Sequence, residues 1–427
     1  MASHFSSYST SNRGRGRGGG RGRGSGRGYW RDDFRQVPTV DQLPPKPLGP
    51  TIDSIDIKTL MTEEDTPTIK EVEYVASYNW LNGESPTILV PGSPPAWTPP
   101  VTDTRLKRDS GDVFRDINSA RYPSYPLEPT FRSLKAMKPD YDLRDVDIVG
   151  CGSTIGNLMR FARSERKPFR FDVERVGDTV LFVRKENSPG ELIADLQGYG
   201  HTFPEAYTTW DPAVRDSCSH QRVVGYDFGG LKFLVRTETD GYVKSGRSGQ
   251  GGPINNSRDL SPPFDLDPIS PEILDDVLRS VALTTGMSTS QDQDLKVRMR
   301  GEEIPQSQIF DIKTRANYKT FNMEEILPRL WLNQTPNFLL AYHKFGLFDK
   351  PDVKNVKEDV LKWEKDNSSV LALFHAVVKR IVDVMLEETE ELQCEVSWDG
   401  QGRLYITEAV GERKKALPSD LAQIFEG

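Results

Sequence analysis

The sequence predicts an α+β fold, a mixed and mostly antiparallel β-sheet core with flanking helices. Three observations point there. Apolar runs of strand length recur along the chain, separated by Gly, Pro and Asp turns. Helical periodicity sits among them, most clearly at 370–385, where Leu373, Phe374, Val377, Val378, Ile381, Val384 and Met385 fall on one side. No βα unit is repeated, which argues against a parallel, doubly wound sheet.

The first 36 residues hold eight arginines and two aspartates, and residues 13–28 read RGRGRGGGRGRGSGRG. Glycine at nearly every second position leaves no core to form, so a disordered tail is expected. Arg13, Arg15, Arg17, Arg21, Arg23 and Arg27 offer guanidinium forks to phosphates and flat faces to bases, as in RGG-type RNA-binding segments. Residues 37–68 are proline-rich and read as a linker, with order beginning near Ile69.

From there, 72–81 and 87–90 read as strands, 91–100 as a proline turn around Trp97, and 128–137 as a helix. Residues 146–161, VDIVGCGSTIGNLMRF, read as strand, glycine turn and helix. Gly150, Gly152 and Gly156 resemble a nucleotide phosphate loop, but 169–185 follows as an antiparallel hairpin rather than a returning parallel strand. Residues 198–208 read as a polar and aromatic turn holding Glu205, with His201 a structural residue. Residues 244–300 read as a largely disordered insertion with one helix, opened by Ser270 and Pro271. After it come a helix at 323–331, a strand at 336–343, the long helix and a closing hairpin around Asp399-Gly400. The domain is therefore expected over 69–243 plus 301–427.

Composition narrows the function. Hydrophobic residues are 36% and mean hydropathy is −0.56, low for a chain compact throughout. The net charge is −8, and the basic tail leaves the rest more acidic still, which excludes a broad non-specific DNA-binding face. Cys151, Cys218 and Cys394 are odd in number and far apart, so neither a disulfide framework nor a zinc knuckle is expected. An intracellular setting, nuclear or cytoplasmic, is the expectation. No apolar run approaches membrane-spanning length and no secretory signal opens the chain.

Chemistry concentrates in two stretches. Residues 231–235 are apolar and lead to Glu238-Thr-Asp240; residues 308–315, QIFDIKTR, carry Asp311-Ile-Lys313. Residues i and i+2 of a strand share a face. If the two strands pair, Glu238, Asp240 and Asp311 converge beside the Lys313 ammonium. Carboxylate oxygens suit Mg²⁺ or Mn²⁺, and a lysine can steady a nucleophile or developing charge. Placement of the two segments on separate sheets, or with their tips facing opposite ways into solvent, is expected to collapse this reading and leave only the arginine-rich tail as an RNA-binding feature.

The order of these pieces resembles the eukaryotic decapping exonucleases (the DXO and Rai group), a branch of the PD-(D/E)xK nuclease superfamily. The likeness runs from about 146 to 349: turn and helix at 149–159, hairpin at 169–185, Gly200 to Glu205 similar to a glycine-to-Phe-Glu turn, Glu238-x-Asp240, Asp311-x-Lys313, and the strand at 336–343. The sequence departs where the family has an arginine, here Gly152 or Cys151, and has Asp311 for a glutamate; Gln334 lies near the family's glutamine. The resemblance implies metal-dependent hydrolysis at RNA 5′ ends, as decapping, pyrophosphohydrolase or 5′–3′ exonuclease activity on incompletely or NAD-capped RNA, within mRNA quality control. It implies Glu205, Asp240, Asp311 and the Ile312 carbonyl on Mg²⁺ or Mn²⁺, Glu238 on a second ion or water, and RNA, with a possible protein, as partner. A degenerate nuclease fold serving as an RNA- or protein-binding module is the alternative. A nucleotide-binding enzyme using Gly150–Gly156 is a third reading. A prenyl diphosphate synthase is excluded: its two D-D-x-x-D motifs have no counterpart, since the paired aspartates are Asp32-Asp33 and Asp275-Asp276.

Overall fold

The computed structural model describes residues 48–425 except 63–65, 84, 187, 189, 194–196, 245–293 and 412–414. The arginines expected to bind RNA and the helix expected after Ser270 lie outside the described residues.

The longer strands, with the two-residue β9 that links them, follow in order: β1 (Thr51–Ile55), β2 (Ile69–Leu81), β3 (Thr87–Gly92), β4 (Ile148–Cys151), β5 (Phe169–Val176), β6 (Thr179–Arg184), β7 (Ser217–Phe228), β8 (Leu231–Glu238), β9 (Gly241–Tyr242), β10 (Lys296–Gly301), β11 (Ile309–Ala316), β12 (Asn337–Lys344), β13 (Cys394–Trp398) and β14 (Leu404–Glu408). The helices used below are α1 (Glu128–Met137), α2 (Gly152–Ala162), α3 (Thr202–Tyr207), α4 (Leu327–Leu332) and α5 (Ser368–Glu387).

An eleven-stranded sheet runs β1-β14-β13-β5-β6-β4-β8-β7-β2-β3-β10. Its centre is buried on both faces, which is why β8 carries three consecutive apolar residues, Phe233, Leu234 and Val235, rather than a clean alternation. Alternation still sorts the side chains. Phe233 and Val235 pack under α2 and α5, with Ile155, Leu158, Phe374 and Val378. Leu234 packs on the opposite face with Phe131 and Leu134 of α1 and with Leu421 and Phe425 near the C-terminus. Each such side chain contributes roughly 1.5–3 kcal/mol on burial. Strands β4, β6 and β8 are parallel neighbours, so their C-terminal ends reach the same edge, while most other pairs are antiparallel.

A second, seven-stranded sheet joins Thr208–Thr209, Ala96–Trp97, β9, β11, β12 and Leu347–Phe348, with Lys354–Asn355 also on β12. Trp97, Phe203, Tyr207, Phe310 and Phe348 form its aromatic core. The predicted α+β class, the 169–185 hairpin, the strand–helix pair at 148–162, the long helix and the closing hairpin are all present.

Several expectations change. Thr51–Ile55, inside the proline-rich stretch read as linker, is a strand that pairs with β14. Lys296–Gly301, inside the stretch read as insertion, is an exposed edge strand paired in parallel with β3. The turn around Glu205 is a short helix, α3, because Phe203 and Tyr207 turn into the aromatic core. The two acid-bearing strands do not pair with each other: β8 belongs to the large sheet and β11 to the small one.

Candidate active site

Although β8 and β11 lie on separate sheets, the chain joins them within a few residues. The Thr239 N–H donates to the His220 carbonyl of β7 at 3.0 Å, which closes the last rung of the large sheet. Asp240 follows, and β9 then enters the small sheet, with Gly241 opposite Phe310 and Tyr242 opposite Ile309. That register sets Asp240 beside the next residues of β11, and the Ile312 N–H donates to Asp240 Oδ2 at 2.6 Å. The acid cluster therefore stands where the two sheets meet.

Asp240 and Asp311 are in side-chain hydrogen-bond contact, and Glu238 lies within reach of the Asp311 charge. Protein crowds the cluster on most sides, while Glu238 is exposed and Asp240 half-buried. Poor hydration and the adjacent Asp311 carboxylate push Asp240 well above the usual carboxylate range, against the pull of Arg329 and the Ile312 N–H. Crowding by surrounding protein atoms, despite its solvent-facing surface, pushes Glu238 up as well, helped by Asp116 and Asp311.

Arg329 answers this charge. Its guanidinium forms an ion pair with Asp311 and lies within the field of Asp240 and Glu238. It projects from α4, whose other side is held by buried Leu327, Leu330, Trp331 and Leu332 and by a 2.9 Å hydrogen bond from Trp331 Nε1 to Glu364 Oε1. The Arg329 side chain is 49% exposed, so it reaches Asp311 from a fixed backbone.

A small hollow near Glu238 is lined by Asp116, Asn118, Cys151, Arg184 and Arg236, among others. Burial would raise the Cys151 thiol, but the Arg236 and Arg184 guanidiniums bring it below its ordinary value. Cys151 stands at the N-cap of α2, and at Gly152 an added Cβ would meet Asn333 Oδ1 at 2.2 Å. Glycine is required there by the close approach of Asn333.

The structure thus brings Glu238, Asp240 and Asp311 together. Lys313 shares the Asp311 face of β11 and is exposed, with no ion pair among the described residues. Glu205 is exposed on α3, and among the described residues no three His, Cys, Asp or Glu side chains are arranged as a metal cage, so the cage expected from Glu205, Asp240 and Asp311 is not assembled among them. Gln334 also stays out, since its amide donates to the Trp331 carbonyl at the end of α4. Sequence reasoning missed Arg329, which lies 18 positions beyond Asp311 in a helix with no motif around it.

A family model described as a domain of unknown function (DUF8563) matches residues 52–425. No curated protein matches the chain. Among solved structures, Rai1 of S. pombe in complex with 3′-FADP is similar with a TM-score of 0.53 at 10% identity, over 84% of this chain and 99% of that one. Rai1 of Scheffersomyces stipitis in complex with (3′-NADP)⁺ and calcium ion gives 0.54 at 11%, over 90% and 100%. Rai1 of Candida albicans in complex with pU5-Mn²⁺ gives 0.51 at 10%, over 88% and 98%. The resemblance to the Rai group read from the sequence therefore holds for the fold. Among the described residues no helix is long and apolar enough to cross a membrane.

Proposed function

We propose, for a chain that belongs to the DUF8563 family, that it hydrolyses RNA at the 5′ end with a divalent ion held by Asp240 and Asp311. The observation that carries the reading is the meeting of those two carboxylates, with Glu238 beside them, where the two sheets join. Carboxylates this close repel unless a proton or a cation stands between them. An all-oxygen donor set suits a hard divalent ion, and Mg²⁺ commonly takes one or two carboxylates and completes its shell with water and substrate phosphate. The fold it shares with Rai1 structures bound to an RNA pU5 with Mn²⁺, to (3′-NADP)⁺ with calcium, and to 3′-FADP supports the substrate class.

When bound, such an ion would polarise the phosphate and lower the pKa of water. The chain's own residues do the rest. The Ile312 N–H fixes the orientation of Asp240, and the Ile312 carbonyl is offered as a further oxygen. Glu238 orients the attacking water, and its raised proton affinity suits it to accept a proton. Lys313, free of other ion pairs among the described residues, steadies the developing charge. The six tail arginines Arg13 to Arg27 hold the RNA body. Purified protein with Mn²⁺ should release product from 5′-triphosphate or NAD-capped RNA, and Asp311→Asn should reduce the rate by at least about a hundredfold. Equal rates for the two proteins would end this assignment.

One observation favours a second reading, a degenerate fold that binds RNA without cutting it: the Asp311–Arg329 ion pair already neutralises part of the acid cluster. On that reading neither wild type nor Asp311→Asn turns over RNA, while both bind it.

A further inference from the structure

We propose that Arg329 is the built-in competitor of the divalent ion: its guanidinium and the metal contend for the same Asp311 oxygens, so metal entry requires Arg329 to leave. This deepens the reading above and rests on Asp240 and Asp311 being the metal carboxylates.

Four features carry it. Three carboxylates, Glu238, Asp240 and Asp311, act on Arg329 together. The other positive groups nearby do not fill the same role. Lys313 is exposed without an ion pair among the described residues, and Arg236 serves the small hollow with Cys151 and Asp116. The Arg329 backbone is fixed by a buried helix face, while its side chain is half exposed, so departure costs side-chain contacts only and leaves α4 in place. Finally, a divalent ion brings two positive charges to a cluster where a guanidinium brings one. The guanidinium keeps the acids compatible until the ion arrives, and it sets the ion concentration at which the exchange occurs.

Mn²⁺ titration calorimetry on the full chain tests this without any turnover measurement. Arg329→Met should bind Mn²⁺ at least about tenfold more tightly than wild type, the worth of one charged hydrogen bond. Arg329→Lys should stay near wild type, and Asp240→Asn should lose binding. Thermal unfolding of each variant controls for folding. Equal Mn²⁺ affinity of wild type and Arg329→Met overturns the competition and leaves the metal-dependent reading intact. Binding by Arg329→Met alone supports the competition and removes metal-dependent hydrolysis by the wild type. No binding by either protein overturns both.

Discussion

Single residues decide how the molecule responds to acid. His220 is buried on β7, with Nδ1 2.6 Å from Asn79 Oδ1 and Nε2 without a partner among the described residues. Burial, and then the Arg222 charge, holds its pKa well below the 6.5 of a free imidazole. In the unfolded chain His220 takes up a proton near that value; in the folded protein it does so only at lower pH. Its neutral form therefore supports the fold fully above pH 6.5, and that support drains away as the pH falls below it. Urea unfolding should show wild type weakening between about pH 7 and pH 5, with a flatter curve for His220→Gln. Parallel curves would assign the acid response to other groups. At the same scale, the sequence made Glu238, Asp240 and Asp311 visible because strand ends with acids two apart form a pattern. Arg329 formed none, since its meaning arises only when α4 is packed beside β11. The stretch around Glu205 reads as a turn from its Phe-Pro-Glu context, but Phe203 and Tyr207 coil it into a helix to reach the aromatic core.

At the scale of elements, the sequence disclosed what was buried and hid what was exposed. Strand β8 and helix α5 were plain because their apolar spacing is dictated by a core on one or both sides. Strands β1 and β10 were not, because edge strands answer to backbone pairing and need no apolar alternation. Strand β10, KVRMRG, is exposed over Lys296–Arg300 and is held by parallel pairing along β3. It ends at Gly301, opposite Gly92, with φ of +92°. An added Cβ would lie 2.5 Å from the Gly92 backbone, which cannot move aside as a side chain would. Gly301→Ala should therefore lower stability by roughly 1–3 kcal/mol in chemical denaturation. Amide exchange along β3 should accelerate with it; unchanged protection would mean that β10 is dispensable to the sheet.

For the whole molecule, charge is divided between a basic start and an acidic remainder, so RNA affinity and RNA chemistry are expected to separate. Deletion of residues 1–36 should weaken RNA binding and flatten its dependence on salt, because fewer phosphate neutralisations release fewer ions. Mn²⁺ binding by the shortened chain should not change. A tail-less protein with full affinity and an unaltered salt slope would move the RNA anchor into the folded part. The α+β class was legible because the large sheet writes its two cores into the sequence. The division into two sheets was not, because a crossing as short as Thr239–Asp240 looks like the continuation of one strand.

That crossing has a wider consequence. Asp240 is tethered through its backbone to one layer and through its carboxylate to the other. The spacing of the acids is thus inherited from how two curved layers rest on one another, and neither layer sets it alone. A change among the rings around Trp97 would reach the acids through Phe310, the chain neighbour of Asp311, and the register of β9.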